Sequence, residues 1–305
     1  MYTSFKGIVD AVKKNPHKRN VAVAGASDLH VLEAVAHAKE QGLVNPILVG
    51  DRLRITHLLH ELELREEDFQ ICHCREPEEA GAAAVRLVKE GHADFLMKGM
   101  IETKDLLKEI VKKENQLHTG RTMSHFALNE IPGYPKLIVN TDGGMLVYPN
   151  LEQKKEIIIN TVKTLHALGI SSPKIAVLAG IEKVNPKMQE TIDAAELKAM
   201  NLRGEISECM VEGPISYDLA MCSDIAEIKH YNSPYCGDFD ALIVPNLATG
   251  NILGKSWSVT AKGKMAGIIV GAKVPIVLTS RGSSAEEKFL SIALASLVAD
   301  KEVAS

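Results

Sequence analysis

The segment Pro275-Ile-Val-Leu-Thr-Ser-Arg-Gly-Ser-Ser-Ala-Glu-Glu-Lys288 carries the signals of a strand, a polar loop and a helix in direct succession. The apolar, mostly β-branched run from Pro275 to Leu278 predicts a short buried strand, and the periodic pattern after it predicts a helix from Ala285 to Ala299. Polar side chains between a strand and the next helix are typical of α/β folds, in which ligands bind at the carboxyl ends of the strands.

The loop of this segment is chemically suited to an anion. It offers the hydroxyls of Thr279 and Ser280, the guanidinium of Arg281 and a flexible glycine, Gly282. The free N–H groups and the dipole at the start of the following helix favour a negative charge. Arginine adds a planar, bidentate donor suited to phosphate. The sequence therefore predicts an oxyanion-binding site here.

Alternating strand and helix patterns continue through the rest of the chain. Strands are predicted at residues 20–25, 46–49, 94–97, 122–128, 137–140, 175–178, 208–211, 242–244 and 267–270, and helices at 28–41, 78–90, 103–113 and 151–168. Such alternation predicts parallel strands with right-handed crossovers. The exception is the pair 122–128 and 137–140, which the turn Pro132-Gly-Tyr-Pro135 joins into a predicted hairpin.

A chain of 305 residues is long for a single core, so we expect two α/β lobes with a cleft between them. The last strand and helix are expected to return to the first lobe. The first domain then comprises residues 1–143 and 273–305, and the second comprises residues 144–272.

Composition and charge narrow the function. A hydrophobic content of 46% with 24% charged residues is that of an ordinary globular protein, and the net charge of −4 disfavours a general nucleic-acid binder. The N-terminus lacks the apolar core of a signal peptide, and the sequence has no uncharged apolar run of membrane-spanning length. We therefore expect a cytoplasmic protein with neither nucleic acid nor a membrane as a partner.

The cysteines do not indicate a metal site. The five are scattered along the chain, which fits a reducing compartment. Cys72-His73-Cys74 is spaced too tightly for a structural zinc site and is better interpreted as the end of an alternating strand. No metal is expected.

Common nucleotide-binding motifs do not fit. Gly250-Asn-Ile-Leu-Gly-Lys-Ser256 has three residues between its glycines where a P-loop needs four. A single glycine, Gly25, follows the first predicted strand, which disfavours a Rossmann dinucleotide site. The sequence also has neither a Gly-x-Ser-x-Gly elbow nor a His-Glu-x-x-His helix, so serine-hydrolase and zincin chemistry lack support.

A second polar cluster follows the predicted strand 242–244. The side chains of Asn246, Thr249 and Asn251 could bond a polar ligand at this strand end. Equally, Asn251 could cap a helix and Asn246 could close a turn.

Gly120-Arg-Thr-Met-Ser-His125 places a cation, hydroxyls and an imidazole in a row. In an extended strand, Arg121 and His125 fall on opposite faces, since side chains alternate. Arg121 and Ser124 are predicted ligand contacts if the strand borders the cleft, whereas His125 is expected to be a partly buried, hydrogen-bonded strand residue.

The acidic pair Glu286 and Glu287 has two interpretations. Ser284-Ala-Glu-Glu287 matches a capping box, in which Glu287 returns a hydrogen bond to the helix start. Alternatively, a carboxylate beside a bound anion has a raised pKa and acts as a base.

Taken in order, these segments resemble the phosphate acetyl/butyryltransferase family, and its butyryltransferase branch most. The resemblance runs over nearly the whole chain. It rests on Phe95-Leu-Met-Lys-Gly-Met100, Gly120-Arg-Thr-Met-Ser-His125, Thr141-Asp-Gly-Gly144 with Tyr148-Pro149, Val211-Glu-Gly-Pro214, Ala241-Leu-Ile-Val-Pro-Asn-Leu-Ala-Thr-Gly-Asn251 and Leu278-Thr-Ser-Arg281. The Thr-Ser-Arg and Pro-Asn-Leu-x-x-Gly-Asn blocks are the most specific.

The resemblance implies a fold and a reaction. The fold would be a two-domain isocitrate/isopropylmalate dehydrogenase-like α/β fold, with mostly parallel sheets around an interdomain cleft. The reaction would move a short acyl group, butyryl or similar, directly between coenzyme A and inorganic phosphate in a ternary complex. No bound cofactor is implied, the substrates are acyl-CoA, phosphate and acyl phosphate, and the protein would be a homodimer or higher homo-oligomer.

The resemblance also implies site residues. Arg281 would hold phosphate, Ser280 would bond the reacting sulfur or oxygen, and Glu287 or Glu286 would accept the thiol proton. The predicted substrate-binding residues are Lys98, Lys108, Arg121, Ser124, Asn246, Thr249, Asn251 and Ser283.

The chain departs from the family pattern at three places. Relatives often have aspartate at Glu287, arginine at Lys108, and Arg-Ala-Asp-Ser in place of Arg-Gly-Ser-Ser at Arg281 to Ser284. Three other functions stay open: a phosphate acetyltransferase, an NAD- and metal-dependent decarboxylating dehydrogenase, and a non-catalytic CoA or acyl-phosphate binder.

Overall fold

The computed structural model describes residues 2–280 and 282–302, and of residues 77, 78 and 300–302 only the backbone. The helices in this part of the chain are α1 (Phe5–Lys14), α2 (Leu29–Glu40), α3 (Arg52–Glu61), α4 (Pro77–Lys89), α5 (Thr103–Val111), α6 (Leu151–Ala167), α7 (Gln189–Leu202), α8 (Tyr217–Met221), α9 (Ser223–Ile228), α10 (Leu247–Lys255) and α11 (Ala285–Glu302). The strands are β1 (Arg19–Ala24), β2 (Val44–Gly50), β3 (Gln70–His73), β4 (Phe95–Lys98), β5 (Ser124–Glu130), β6 (Ile138–Thr141), β7 (Lys174–Leu178), β8 (Met210–Ile215), β9 (Ala241–Ile243), β10 (Lys264–Val270) and β11 (Ile276–Val277).

The chain divides into two compact units. The first unit is Lys6–Arg121 with the described residues from Ala266 onward, and the second unit is Thr122–Met265 with the described residues up to Phe5. The domain boundaries 143/144 and 272/273 stay a prediction, and the compact units are divided elsewhere. Residues 122–143 group with the second unit because their hairpin pairs with β9.

The first unit contains a mostly parallel sheet. β1 lies between β2 and β4, β3 pairs with β2, and β11 pairs with β4, all in parallel. β10 is antiparallel to β11. The apolar runs predicted as strands are buried as expected, with Val21 to Ala24 inaccessible to solvent. α11 packs against α2 and reaches β11, so the end of the chain contributes to this unit.

The loops after β1 and β4 meet through two glycines at the carboxyl edge of this sheet. Gly99 N donates to Ala24 O at 2.8 Å, and Met100 N donates to Gly25 O at 2.6 Å. Gly25 has a φ of +73°, a conformation that favours glycine. A Cβ at Gly99 would lie 2.2 Å from Gly25 O, so this approach requires glycine.

The second unit is built on a five-stranded arrangement. β5 and β6 form the predicted antiparallel hairpin, with Ala127 opposite Asn140 and Asn129 opposite Ile138. β6, β9, β7 and β8 follow in parallel. Its core includes the buried rings of Phe239 and Trp257. The hairpin prediction is confirmed.

The sequence patterns missed several helices, among them α1, α3, α7 and α10. The Cys72-His73 segment does end a strand, β3. In the described residues, no helix combines the length and apolar character needed to cross a membrane.

Candidate active site

A cavity of about 480 Å³ lies in the first unit, where β1, β4 and β11 end. Asp28 follows β1, Lys98 ends β4, and Thr279 and Ser280 follow β11. The polar and charged side chains that line it are Asp28, His30, Lys98, Glu102, Asp105, Thr279, Ser280 and Lys288. The structure therefore places the predicted residues Lys98 and Ser280 in one cavity, at the sheet edge where α/β folds bind ligands.

The loop between β11 and α11 is organised by serine hydroxyls. Ser284 Oγ accepts a hydrogen bond from Glu287 N at 3.1 Å, which is half of the predicted capping box. The Glu287 carboxyl does not complete the box, because Ser283 Oγ donates to Glu287 Oε1 at 2.5 Å. Ser283 Oγ also accepts from Ser280 N at 3.1 Å and lies 3.2 Å from Ser280 Oγ. Ser280, Ser283 and Glu287 are thus connected.

Glu287 and Glu286 differ in surroundings. Glu287 is half-buried and Glu286 is exposed. Burial raises the pKa of Glu287, although the hydrogen bond from Ser283 and the charge of Lys288 act in the opposite direction. A raised pKa suits a group that accepts and returns a proton near neutral pH.

Lys288 is the residue that the sequence interpretation missed. It is buried at 5% exposure, it lines the cavity, and its Nζ donates to Ser283 O at 2.5 Å. A cation in the first turn opposes the helix dipole, so this lysine is not placed there to stabilise α11. The available signal was its spacing, since Lys288 shares a helix face with the buried Ile292 and Ala295.

Several predicted contacts lie outside this cavity. Lys108, in the last turn of α5, and Arg121 are exposed. Ser124 is fully buried in the second unit and accepts from Asn160 Nδ2 at 3.1 Å. Their roles as substrate contacts stay predictions. Arg281 lies outside the described residues, so its predicted contact with phosphate is equally untested.

His125 is a half-buried residue of β5, as expected, but in the described part of the chain its imidazole Nδ1 is buried without a hydrogen-bond partner, so the prediction of a hydrogen-bonded side chain is not confirmed for this atom. Its backbone N–H donates to Asp142 Oδ2 at 2.9 Å. Burial lowers the pKa of the His125 imidazole, while the neighbouring Asp142 raises it. A Cβ at Gly144 would lie 2.9 Å from His125 Cγ, so the Thr141-Asp-Gly-Gly144 loop packs directly on this ring.

The cluster at Asn246 is organised by helix capping. Asn246 caps α10, and its Oδ1 accepts from Thr249 N and Thr249 Oγ1, both at 3.0 Å. Asn251 lies within α10 and donates to Gly143 O at 3.4 Å. The interpretation of Asn251 as a cap is therefore wrong, and the cap is Asn246.

A cavity of about 760 Å³ in the second unit lies beside Asn246. Its wall includes Lys154 and Asp193, which form a buried ion pair at 2.6 Å. Gln189 Nε2 donates to Asp193 Oδ1 at 2.8 Å. Lys154 and Asp193 are therefore already paired with each other, and the wall also carries the carboxyl groups of Glu190 and Glu196.

The model of the Phosphate acetyl/butaryl transferase family matches residues 4–82 and 75–296. The chain belongs to this family. The resemblance identified from the ordered sequence motifs is confirmed.

Two curated relatives carry the names of both branches. The phosphate butyryltransferase of Clostridium acetobutylicum is 42% identical over 299 residues, covering 98% of this chain and 99% of the relative. The phosphate acetyltransferase of Thermotoga maritima is 44% identical over 281 residues, covering 92% of this chain and 95% of the relative. Overall identity therefore does not separate the two branches.

Solved structures correct the predicted fold. A branched-chain phosphotransacylase from Enterococcus faecalis V583 matches with a TM-score of 0.83 and 35% identity, covering 92% of this chain and 99% of that chain. Phosphotransacetylases match at 0.80 and 0.79, whereas a 4-hydroxythreonine-4-phosphate dehydrogenase from Klebsiella pneumoniae reaches 0.56. The isocitrate/isopropylmalate dehydrogenase-like assignment is wrong, and the fold is that of the phosphotransacylases. Alternating strand and helix patterns determine the α/β class but not the order of the strands, which distinguishes such folds.

Proposed function

We propose that this chain transfers a short-chain acyl group, butyryl or similar, between coenzyme A and inorganic phosphate. The reaction is acyl-CoA plus phosphate giving acyl phosphate plus CoA. Membership of the family supports the reaction class, and the relatives named above carry out, by their names, phosphate butyryl- or acetyltransfer.

The observation that carries the proposal is the cavity at the ends of β4 and β11. Lys98 and Lys288 line this cavity together with Thr279 and Ser280, so two ammonium groups and two hydroxyls belong to one wall. Cations and hydroxyl donors are the groups that hold phosphate oxygens and a developing oxyanion. The three carboxylates of the cavity, Asp28, Glu102 and Asp105, come from the starts of α2 and α5.

The proposed chemistry is direct transfer in a ternary complex. A phosphate oxygen attacks the thioester carbonyl, a tetrahedral oxyanion forms, and the carbon–sulfur bond breaks. Holding two anions in reacting geometry can supply about 7–11 kcal/mol of the barrier reduction. One preorganised oxyanion donor can supply about 3–4 kcal/mol. Arg281 is proposed as a further phosphate ligand on sequence grounds.

A thiol-release assay tests the proposal. Purified protein is incubated with acetyl-, butyryl- and branched acyl-CoAs, with and without phosphate, and free CoA is measured. We expect phosphate-dependent release, fastest with butyryl-CoA or a branched homologue. Undiminished release without phosphate would identify a thioesterase, and a preference for acetyl-CoA would favour the acetyltransferase alternative.

The finer expectations belong to the same proposal. The chain is proposed to need no bound cofactor, to work in the cytoplasm and to form a homodimer or higher homo-oligomer. Activity that survives exhaustive dialysis against a chelator tests the first point. Sedimentation equilibrium of the purified chain tests the last.

A further inference from the structure

The proposed base does not reach the cavity by itself. Ser280 lines the cavity, whereas Glu287 and Ser283 are not among the described residues that form its wall. Glu287 Oε1 lies 2.5 Å from Ser283 Oγ, and Ser283 Oγ lies 3.2 Å from Ser280 Oγ. Ser283 therefore stands between a half-buried carboxyl and a hydroxyl at the cavity.

Hydrogen-bond counting fixes the direction of this chain of groups. An ionised carboxylate can only accept hydrogen bonds, so Ser283 donates its single O–H to Glu287. Ser283 Oγ can then only accept from Ser280, through both Ser280 N at 3.1 Å and the Ser280 hydroxyl. The hydroxyls of Ser280 and Ser283 therefore both point from the cavity toward Glu287. This arrangement can carry a proton to the carboxylate.

The surroundings suit a carboxyl that exchanges a proton. Burial raises the pKa of Glu287, and the adjacent Lys288 opposes that shift. The other titratable side chains that line the cavity are Asp28 and His30 at the start of α2, Lys98 at the end of β4, and Glu102 and Asp105 at the start of α5. The glutamate side chain is long enough for its carboxyl to reach back from α11 to Ser283 Oγ.

We propose that Ser283 is a positioning residue that connects the Glu287 carboxyl to the Ser280 hydroxyl, so that the reaction's proton travels through Ser280 and Ser283. The inference rests on the proposed acyl transfer. The phosphate O–H proton passes to Ser280 Oγ as the Ser280 proton moves to Ser283 and the Ser283 proton moves to Glu287. The phosphate oxygen then forms its bond to the carbonyl carbon. When the carbon–sulfur bond breaks, Glu287 returns the proton through Ser283 and Ser280 to the thiolate, which leaves as free CoA.

A purely structural role for Ser283 makes a different prediction. A serine that only shapes the loop would affect stability, and its removal would leave the pH dependence of turnover in place. Ser284 offers a matched control in the same loop, because its hydroxyl accepts from Glu287 N and is not part of the path. Ser284→Ala should therefore lower the melting temperature and retain turnover.

The kinetic experiment compares Ser283→Ala, Ser283→Thr and Ser284→Ala with the wild type across pH. Proton transfer by a positioned group typically contributes about 10²–10⁴-fold to turnover. We expect at least about a tenfold loss of kcat in Ser283→Ala with little change in either KM, and loss of the acidic limb of the pH profile. Ser283→Thr, which keeps the hydroxyl, should recover most of the activity. A folded Ser283→Ala protein with wild-type kcat and pH profile would overturn the proposal.

A second measurement needs no turnover. Carbon-13 NMR of the Glu287 carboxyl should show a higher pKa in Ser283→Ala than in the wild type, because the hydrogen bond from Ser283 favours the ionised form. An unchanged titration would refute the connection. If the wild type releases no CoA from any acyl-CoA, the proposed function fails and the proton path fails with it. An active wild type with a fully active Ser283→Ala protein would instead refute the path alone.

Discussion

The Lys288 ammonium donates a 2.5 Å hydrogen bond to the carbonyl oxygen of Ser283. The next residue, Ser284, accepts a hydrogen bond from Glu287 N through its hydroxyl. One of the three Lys288 donors is used in the bond to Ser283. Among the described residues, the Lys288 charge also acts on the neighbouring Glu287 carboxyl, whose hydrogen bond comes from Ser283. A buried ammonium with unused donors at a cavity wall is suited to bind an anion, since buried charges require partners.

Replacing Lys288 with methionine should therefore weaken phosphate binding. We expect the KM for phosphate to rise at least about tenfold, equal to about 1.4 kcal/mol, with a smaller effect on the KM for acyl-CoA. Without ligand the melting temperature should not fall, because methionine fits a buried site without the cost of an unpaired charge. Lys113→Met, at an exposed position, is the control. An unchanged phosphate KM in Lys288→Met would exclude this residue from the phosphate site.

Local patterns predicted much of the framework from sequence. The strand–loop–helix order around Ser280, the hairpin of β5 and β6 and the helix after Asp28 all follow from periodicity and turn residues. Asp28 Oδ1 accepts from Val31 N at 2.9 Å, as a cap should. Ser280 was predicted at the ligand-binding edge because polar residues after parallel strands collect there, whereas Lys98 was predicted through the family resemblance.

What sequence could not supply depends on tertiary packing. α10 contains Gly250 and Gly254, and each glycine costs a helix about 1 kcal/mol relative to alanine, so propensity argues against this helix. Packing overrides it: a Cβ at Gly250 would lie 2.7 Å from the Cα of Gly143. Lys288 was missed for a related reason, since a lysine in a first turn is ordinarily solvated.

Gly99→Ala should destabilise the first unit. The added Cβ would lie 2.2 Å from Gly25 O, and neither backbone can yield without breaking the hydrogen bonds between these loops. We expect a loss of at least about 2 kcal/mol in the free energy of unfolding, measured by urea denaturation.

Gly81→Ala is the matched control for that substitution. Gly81 lies inside α4, and the nearest atom to its added Cβ would be Ile101 Cδ1 at 3.7 Å, an ordinary contact. Alanine there should stabilise by about 0.5–1 kcal/mol through helix propensity. Equal effects of the two substitutions would contradict the steric argument.

The Lys154–Asp193 pair predicts a strongly non-additive double-mutant cycle. Both side chains are buried in the second unit, with Nζ and Oδ2 2.6 Å apart. Asp193→Leu or Lys154→Met alone leaves one buried charge unpaired, which should cost about 3–5 kcal/mol. The double variant should cost much less than the sum, because it leaves neither charge. Additive losses in urea denaturation would show that the pair contributes nothing as a pair.

Glu287→Gln separates catalysis from capping and carries a stability signature with a definite sign. The folded-state pKa of Glu287 lies above its ordinary value of 4.5, chiefly because of burial. Below about pH 4.5 the carboxyl is protonated in both states, and its favourable contribution to the folded state is fully present. That contribution is lost as pH rises through the folded-state pKa, since the ionised carboxyl is better solvated in the unfolded chain. The difference in unfolding free energy between wild type and Glu287→Gln should therefore move in favour of the glutamine variant with rising pH.

Turnover should respond in the opposite sense. Glutamine accepts the Ser283 hydrogen bond but cannot accept a proton, so we expect at least about a 100-fold loss of kcat without loss of melting temperature at neutral pH. The paired measurement is a pH series of kcat and of urea unfolding for the two proteins. Wild-type turnover in Glu287→Gln together with a large loss of turnover in Glu286→Gln would assign the proton acceptor to the exposed Glu286. Of these two carboxyls, Glu287 is the one with a described hydrogen bond from Ser283. Activity lost in neither variant would require a base other than these two carboxyls.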